Sequence, residues 1–457
     1  MHQTAEPTLT PVAKAPAGPP FLRRLIFGLR RNPLDFLSRI AADYGDSTHF
    51  PVGHWNYWFF THPDAVRDVL VTSEDKFIKG PALRRAKDTL GEGLLTSEGD
   101  LHKRQRRLVQ PALHPQRVAT YGDVMTRYTL ETIERWSNGQ QIDLHQQMMQ
   151  LTLRIVAKTL FDADVASEVD AIGHAMDVSV GMFARAMSPW GPLLNFLPLP
   201  SNFRFKRAWG QLMGTIDGFI SERRADGRDR GDLLSRLIRA TDSEGDGTAM
   251  SDRQLRDEAI TLFTAGHETT ANALTFTFYL LSRNPQAEQG LHEELASVLG
   301  GRVPTVSDVE NLPYTRMVLS EAMRLYPPAW ALGRESTEPC NVDGHALPGG
   351  AVVLLSQWVT HRDPRWWPEP LKFDPSRFSP ENRAARPRWA YFPFGGGSRQ
   401  CIGEAFAWME AILVIATLAQ RWTMQYLGDQ SPRLRPLITL RPEGPLPMRL
   451  ISREAGM

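Results

Sequence analysis

The segment 392–411 reads FPFGGGSRQCIGEAFAWMEA. Cys401, one of only two cysteines in the chain, follows three consecutive glycines and precedes a helical pattern that begins near Gly403. A thiolate at a helix N-terminus is favoured by the dipole and by free amide groups aimed at the sulfur. Arg399, two residues earlier, adds positive charge. These features lower a thiol pKa and suit a nucleophile or an anionic metal ligand. A nucleophile needs a base, and no histidine is near in sequence. A zinc site needs more cysteines or paired histidines, and HETTA at His267 has Ala271 where the second histidine should stand. A haem axial ligand needs only one thiolate. The residues alone leave a haem-thiolate site and a buried structural cysteine both open.

The elements around this loop are mostly helical. PDAVRDVLVT, TRYTLETIERWSNG, GDLLSRLIRATD and PQAEQGLHEELASVLGG place apolar residues at three- and four-residue steps and end on polar or glycine stops. The longest pattern starts at Ser251, an N-cap, and runs to Pro285. At 1.5 Å per residue it predicts a helix of roughly 50 Å that crosses the domain. Strand signals are confined to STHFPVGHWNYWFFTHP and CNVDGHALPGGAVVLLSQWV. The expected fold class is mainly α with small β-sheets, so the glycine loop lacks the βαβ setting of a nucleotide site. Gly395–Gly397 are read as allowing backbone to press against a flat ligand.

FGGGSRQCIG resembles the cysteine signature of the cytochrome P450 haem-thiolate monooxygenases, at Phe394, Gly397, Cys401 and Gly403. The rest of residues 21 to 450 carries that family's other motifs in order. The resemblance implies haem b ligated by Cys401, held between the long helix and the cysteine-loop helix, with O2 as co-substrate. Glu321 and Arg324 in SEAMRL, with Arg377 in DPSRF, match the family's buried charge network under the haem. In TAGHETT, Ala265 and Gly266 match the small residues that leave room beside the porphyrin. Glu268 and Thr269 match its acid–alcohol pair, with Thr269 holding the reacting oxygen and Glu268 relaying protons from solvent. Threonine back-bonding there is expected to open a hydrated notch in the helix. His102, Arg106, Arg334 and Arg399 match cofactor-propionate partners, and Lys103, Arg104 and Arg107 are left facing solvent as a docking patch for an acidic electron carrier. Substrate-facing positions map to Leu94, Leu95, Thr261, Phe263, Thr264, Ala329, Trp330, Ala331 and Leu332, mostly apolar.

The chain has 457 residues, 42% hydrophobic and 23% charged, with net charge +1. That is an ordinary globular composition with no electrostatic case for nucleic acid. Two cysteines suit a reducing compartment, and a cytoplasmic, monomeric protein is expected. No apolar run is long enough to span a membrane. Residues 1–20, rich in Pro and Ala, are expected to be a disordered lead-in to a single domain over 21–457. FLRRLIFGLRRNP is basic and amphipathic, either a packed first helix or a membrane-surface segment. No flavin or iron–sulfur module is evident, so electrons are expected from a ferredoxin or flavodoxin with its NAD(P)H reductase. The stretch PWGPLLNFLPLPSNFRF resembles soluble bacterial members acting on terpenes and other lipophilic metabolites. The resulting expectation is hydroxylation of a hydrophobic small molecule, leaning terpenoid. Fatty-acid or steroid hydroxylation, a haem-thiolate peroxygenase or isomerase, and a non-catalytic haem sensor are the alternatives.

Overall fold

The computed structural model describes residues 16–19, 32–52, 55–163, 173, 197, 199–242 and 247–453. Most of the 1–20 lead-in, the basic stretch at 21–31 and most of the 189–198 stretch lie outside the described residues.

Among the described residues, ten principal helices carry the fold. They are α1 (Pro33–Tyr44), α2 (Pro81–Leu90), α3 (Gly99–Val109), α4 (Gly122–Ile133), α5 (Leu144–Phe161), α6 (Pro200–Asp226), α7 (Asp252–Arg283), α8 (Pro285–Leu299), α9 (Pro313–Leu325) and α10 (Glu404–Arg421). The strands are β1 (Ser47–Val52), β2 (Trp55–Phe60), β3 (Phe77–Lys79), β4 (Gln141–Asp143), β5 (Leu332–Ser336), β6 (Cys340–Val342), β7 (His345–Leu347), β8 (Val352–Leu355), β9 (Trp422–Tyr426), β10 (Leu434–Pro436), β11 (Leu440–Pro442) and β12 (Pro447–Ser452). A five-stranded sheet runs β1-β2-β8-β5-β3 and a three-stranded one β4-β12-β9, with pairs β6-β7 and β10-β11. Helices with small sheets are what the sequence predicts.

The long helix is α7. Ser251 caps it, accepting from the Gln254 amide while the Gln254 side chain returns to the Ser251 amide, a capping box. Its 32 residues give about 48 Å at the α-helical rise. It packs against α5, α9 and α10. Leu255, Ile260, Leu274, Phe276 and Leu281 are buried to within 1% of fully inaccessible, so α7 forms the centre of the core. The predicted notch is not there: α7 is unbroken α-helix through TAGHETT. The Thr269 and Thr270 hydroxyls bond the Ala265 and Gly266 carbonyls at 2.9 and 3.3 Å without opening the ladder.

The first hairpin forms as expected, β1 against β2 with Ser47 opposite Phe60. The second splits. Asp343 and Gly344, both at positive φ, turn β6 into β7. β8 leaves that hairpin and lies parallel to β2 and antiparallel to β5. This placement brings β5 against β3, which sets the polar end of the site.

Candidate active site

The cysteine loop is closed by the Cys401 amide, which donates to the Phe394 carbonyl at 2.9 Å. Gly403 is the N-cap of α10, as expected. Cys401 lies deep in the protein, yet more than a third of it is accessible to a water-sized sphere. Both hold together for a side chain that borders a cleft or cavity within the fold. Ala265, midway along the most buried helix, is accessible in the same way. The Cys401 thiol differs from expectation. Burial pushes its pKa up to about 11, which outweighs the Gly403 amide and Arg106, both of which lower it. A thiolate there calls for a stronger cation than the loop supplies, such as a metal ion.

Two of the glycines have a packing reason within the protein. A Cβ on Gly396 would collide with the Trp389 ring, and one on Gly397 with the Leu70 carbonyl and the Glu74 carboxylate. Gly395 and Gly397 have φ of 71° and 68°, a second reason for glycine. Gly266 is likewise small for packing: a Cβ there would stand 3.3 Å from Val156 on α5. Of the two small residues, only Ala265 is exposed to the inner space.

Four basic side chains and a neutral histidine converge beside this space. His102 on α3 is buried and held down to about 3, by desolvation first and then by Lys79, Arg399, Arg106 and Arg334. Arg106, one turn on, donates to the Gln400 carbonyl at 2.8 Å. Lys79 was not visible in the sequence. The β3–β5 register sets it directly opposite Arg334, and both are buried. Like charges across a strand pair repel. Burial, then Arg399, brings Lys79 down to about 7, and the same two causes bring Arg334 to about 10. Lys79 Nζ donates to the Leu94 and Ser97 carbonyls at 2.8 and 2.6 Å. Arg399 pairs with Glu98, while its Nη1 is buried without a partner. So dense a set of buried and half-buried basic groups, with a guanidinium nitrogen unmet and a neutral imidazole beside them, fits a dianionic group such as the two haem propionates.

The charge network forms. Arg324 is fully buried and grips Glu321 through Nε and Nη2 at 2.6 and 2.7 Å. It also donates to the His361, Pro370 and Lys372 carbonyls. Arg377 Nε lies 3.4 Å from Glu321, and the Asp374 amide donates to the same carboxylate at 3.0 Å.

Glu268 and Thr269 part company. Thr269 shares the face of Ala265, one turn on, and is partly exposed. Glu268 is buried, accepts from the Thr439 hydroxyl and lies 3.9 Å from Arg441. Asn272 donates to Thr439 at 3.3 Å and meets His145 at 3.1 Å. No spacing in the sequence announced this chain. Glu410, fully buried on α10 with its pKa well raised by burial, was missed too.

Two substrate expectations are corrected. Phe263 sits 200° around α7 from Ala265 and packs edge-on against Phe161 at 5.5 Å, so it belongs to the α5–α7 core. The Trp330 indole donates to the Leu437 carbonyl at 2.9 Å and packs with the cluster around Leu37, Phe50 and Phe59. Ala329, Ala331 and Leu332 stay half-buried, as do Leu95 and Thr264, while Leu94 and Thr261 are buried. The expected docking patch is also reduced. Arg107 grips Asp242 at 3.1 and 2.8 Å, and Arg104 bonds Thr248 and Ala249. Of the three, Lys103 alone is largely free to solvent, at 71% side-chain exposure.

The family model for cytochrome P450 matches residues 15–446. The chain is 44% identical to a cyclooctatin synthase of Streptomyces melanosporofaciens, over 95% of this chain and 94% of that protein. It is 37% identical to a cyclooctat-9-en-7-ol 5-monooxygenase of the same organism, over 90% and 89%. A pentalenene oxygenase of Streptomyces avermitilis shares 35%, over 94% and 95%. No helix among the described residues is long and apolar enough to cross a membrane. An accessible cysteine in the depth of the fold, a helix that bares one alanine beside it and a set of buried cations are thus explained together, for the chain belongs to the cytochrome P450 family of haem-thiolate monooxygenases.

Proposed function

We propose that this P450 hydroxylates a terpenoid, with electrons passed from NAD(P)H through a ferredoxin or flavodoxin and its reductase. The overall change is R–H + O2 + two electrons + two protons giving R–OH + water. The carrying observation is the pairing of Cys401 and Ala265, each accessible from within a buried setting. The haem, when bound, supplies an iron centre that activates O2 for insertion into an unactivated C–H bond.

The chain's own residues do the rest. Cys401 Sγ would be the thiolate that holds the iron, steadied by the Gly403 amide. Lys79, His102, Arg106, Arg334 and Arg399 hold the propionates. Phe394 fixes the loop through its carbonyl. Glu321, Arg324 and Arg377 brace the segment under the loop. Thr269 Oγ1 donates to the Ala265 carbonyl, so its lone pairs remain free to accept from a water and hold it in place as the proton donor. Glu268 feeds that water when its carboxylate leaves Thr439. Leu94, Leu95, Ala329, Ala331 and Leu332 give the apolar wall that a terpenoid needs. The names of the three relatives support this substrate class.

Thr269→Ala tests the proton role. Reconstituted with a surrogate ferredoxin and reductase, the variant consumes NAD(P)H and releases peroxide in place of alcohol. An unchanged yield of alcohol per electron pair refutes the role.

A further inference from the structure

Helical threonines in this protein share a habit. Thr129, Thr159, Thr269, Thr275 and Thr277 each donate to the carbonyl four residues back. Thr261 and Thr264 on α7 do not, and neither hydroxyl has any partner. Three residues before Thr261 stands Glu258, fully buried. One of its oxygens accepts the Leu94 amide at 3.0 Å, while Oε1 has no partner.

These three oxygens follow one another at i, i+3 and i+6, a single ridge of the helix whose last member, Thr264, is the residue before the accessible Ala265. A buried polar atom without a partner is costly, and native folds hold few. The 91–97 loop covers the first two. Gly93 lies so close over Thr261 that a Cβ there would strike its hydroxyl, and Leu94 is tied to Glu258. Thr264, the third, is half-buried, with its Oγ1 turned into the protein. A helical threonine has two accessible χ1 states, and here no back-bond holds either one. A turn of about 120° about χ1 re-aims the hydroxyl. Burial raises Glu258 to about 7, so near neutrality this carboxyl can donate as well as accept. Such a polar ridge in an apolar chamber is how a pocket fixes the orientation of a mostly hydrophobic ligand.

We propose that the substrate arrives already carrying a hydroxyl group, and that Thr264 recognises it, with Thr261 and Glu258 forming the polar backing of that subsite. The proposal deepens, and rests on, the terpenoid reading above. The ligand class is a terpene alcohol with a large apolar body. The reaction that supplies it either hydroxylates the parent hydrocarbon or quenches a ring-closing carbocation with water, releasing a proton. This enzyme then adds a further oxygen to an oxygenated skeleton.

The test uses the haem-loaded full chain and matched pairs of probes, cedrene with cedrol and abietadiene with abietadienol. Calorimetric Kd is the readout, with the substrate-induced spectral shift as a second one. The wild type is expected to bind an alcohol about tenfold more tightly than its hydrocarbon, because a site built for a hydroxyl is left unpaired by the analogue lacking it. Thr264→Val keeps the shape and should erase that preference by weakening the alcohol alone. Thr264→Ser should restore it. Equal affinity for alcohol and hydrocarbon in the wild type overturns the hydroxyl subsite and leaves the terpenoid reading standing. Equal loss of both ligands in Thr264→Val overturns the assignment to Thr264. No binding of any of the four overturns the terpenoid reading and this proposal together.

Discussion

Replacing Arg324 with methionine removes a side chain that is fully buried and makes five hydrogen bonds. Two go to Glu321 and three to backbone carbonyls in the 361–372 segment. Without it, Glu321 keeps only the Asp374 amide at 3.0 Å and Arg377 at 3.4 Å. Breaking a buried pair from one side costs about 3–5 kcal/mol, chiefly by leaving the other charge uncompensated. With a urea slope of roughly 4 kcal/mol/M for a chain of this size, the unfolding midpoint falls by about 1 M. Arg324→Met combined with Glu321→Leu removes the stranded carboxylate as well, so the double variant should regain at least half of that loss. Far-UV circular dichroism reports unfolding, and the haem absorbance at each urea concentration reports whether the cysteine loop goes with it. A double variant that loses as much as the two single variants summed refutes the idea that a stranded charge is what costs. A single variant within about 0.5 kcal/mol of wild type, the range of ordinary surface changes, refutes the network altogether.

Three further outcomes follow from the site. Lys79→Met removes one of the clustered cations and should speed haem transfer to apomyoglobin by about tenfold, the weight of one charge-assisted hydrogen bond; an unchanged rate removes Lys79 from the propionate set. His102 is held near 3 when folded, so between its ordinary value of about 6.5 and that point the unfolded chain takes up a proton that the folded one refuses. Stability therefore drains away as pH falls through that window, by on the order of 1–2 kcal/mol at pH 5, and His102→Gln should flatten this dependence in urea titrations at pH 7.5 and 5. Phe263→Ala should cost about 3–5 kcal/mol of stability while leaving the Kd of terpenoid probes unchanged, since the ring packs on Phe161; a changed Kd returns Phe263 to the pocket wall.

What was legible in the sequence was local. The Cys401 loop, the capped start of α7 and the Glu321–Arg324 spacing are each written within a few residues, and the structure has all three arrangements. What escaped was set by tertiary register. Lys79 matters because β3 meets β5 and places it opposite Arg334, 255 positions away, counting from 79 to 334. Glu268 turns to Thr439 and Arg441 because β11 passes that point of α7, and no spacing along the chain encodes it. Gly266 and Phe263 show the limit of a motif read in one dimension. A family pattern marks where residues cluster around a site, but the 100° step of a helix decides which of them face it. Gly266 faces Val156, Phe263 faces Phe161, and Ala265 between them is left to the inner space. The raised thiol pKa escapes the sequence for a similar reason. A dipole and a nearby arginine are visible in sequence, whereas the burial that outweighs them is not.

The central claim, that Cys401 is the thiolate that ligates haem iron, has one direct measurement. The reduced, CO-bound protein should absorb at about 450 nm, the mark of a thiolate-ligated haem. Cys401→Ser should abolish that band, and Cys340→Ser, at a buried strand position in β6, should keep it. A band at about 420 nm in well-folded wild-type protein, or a band that survives in Cys401→Ser, contradicts the account.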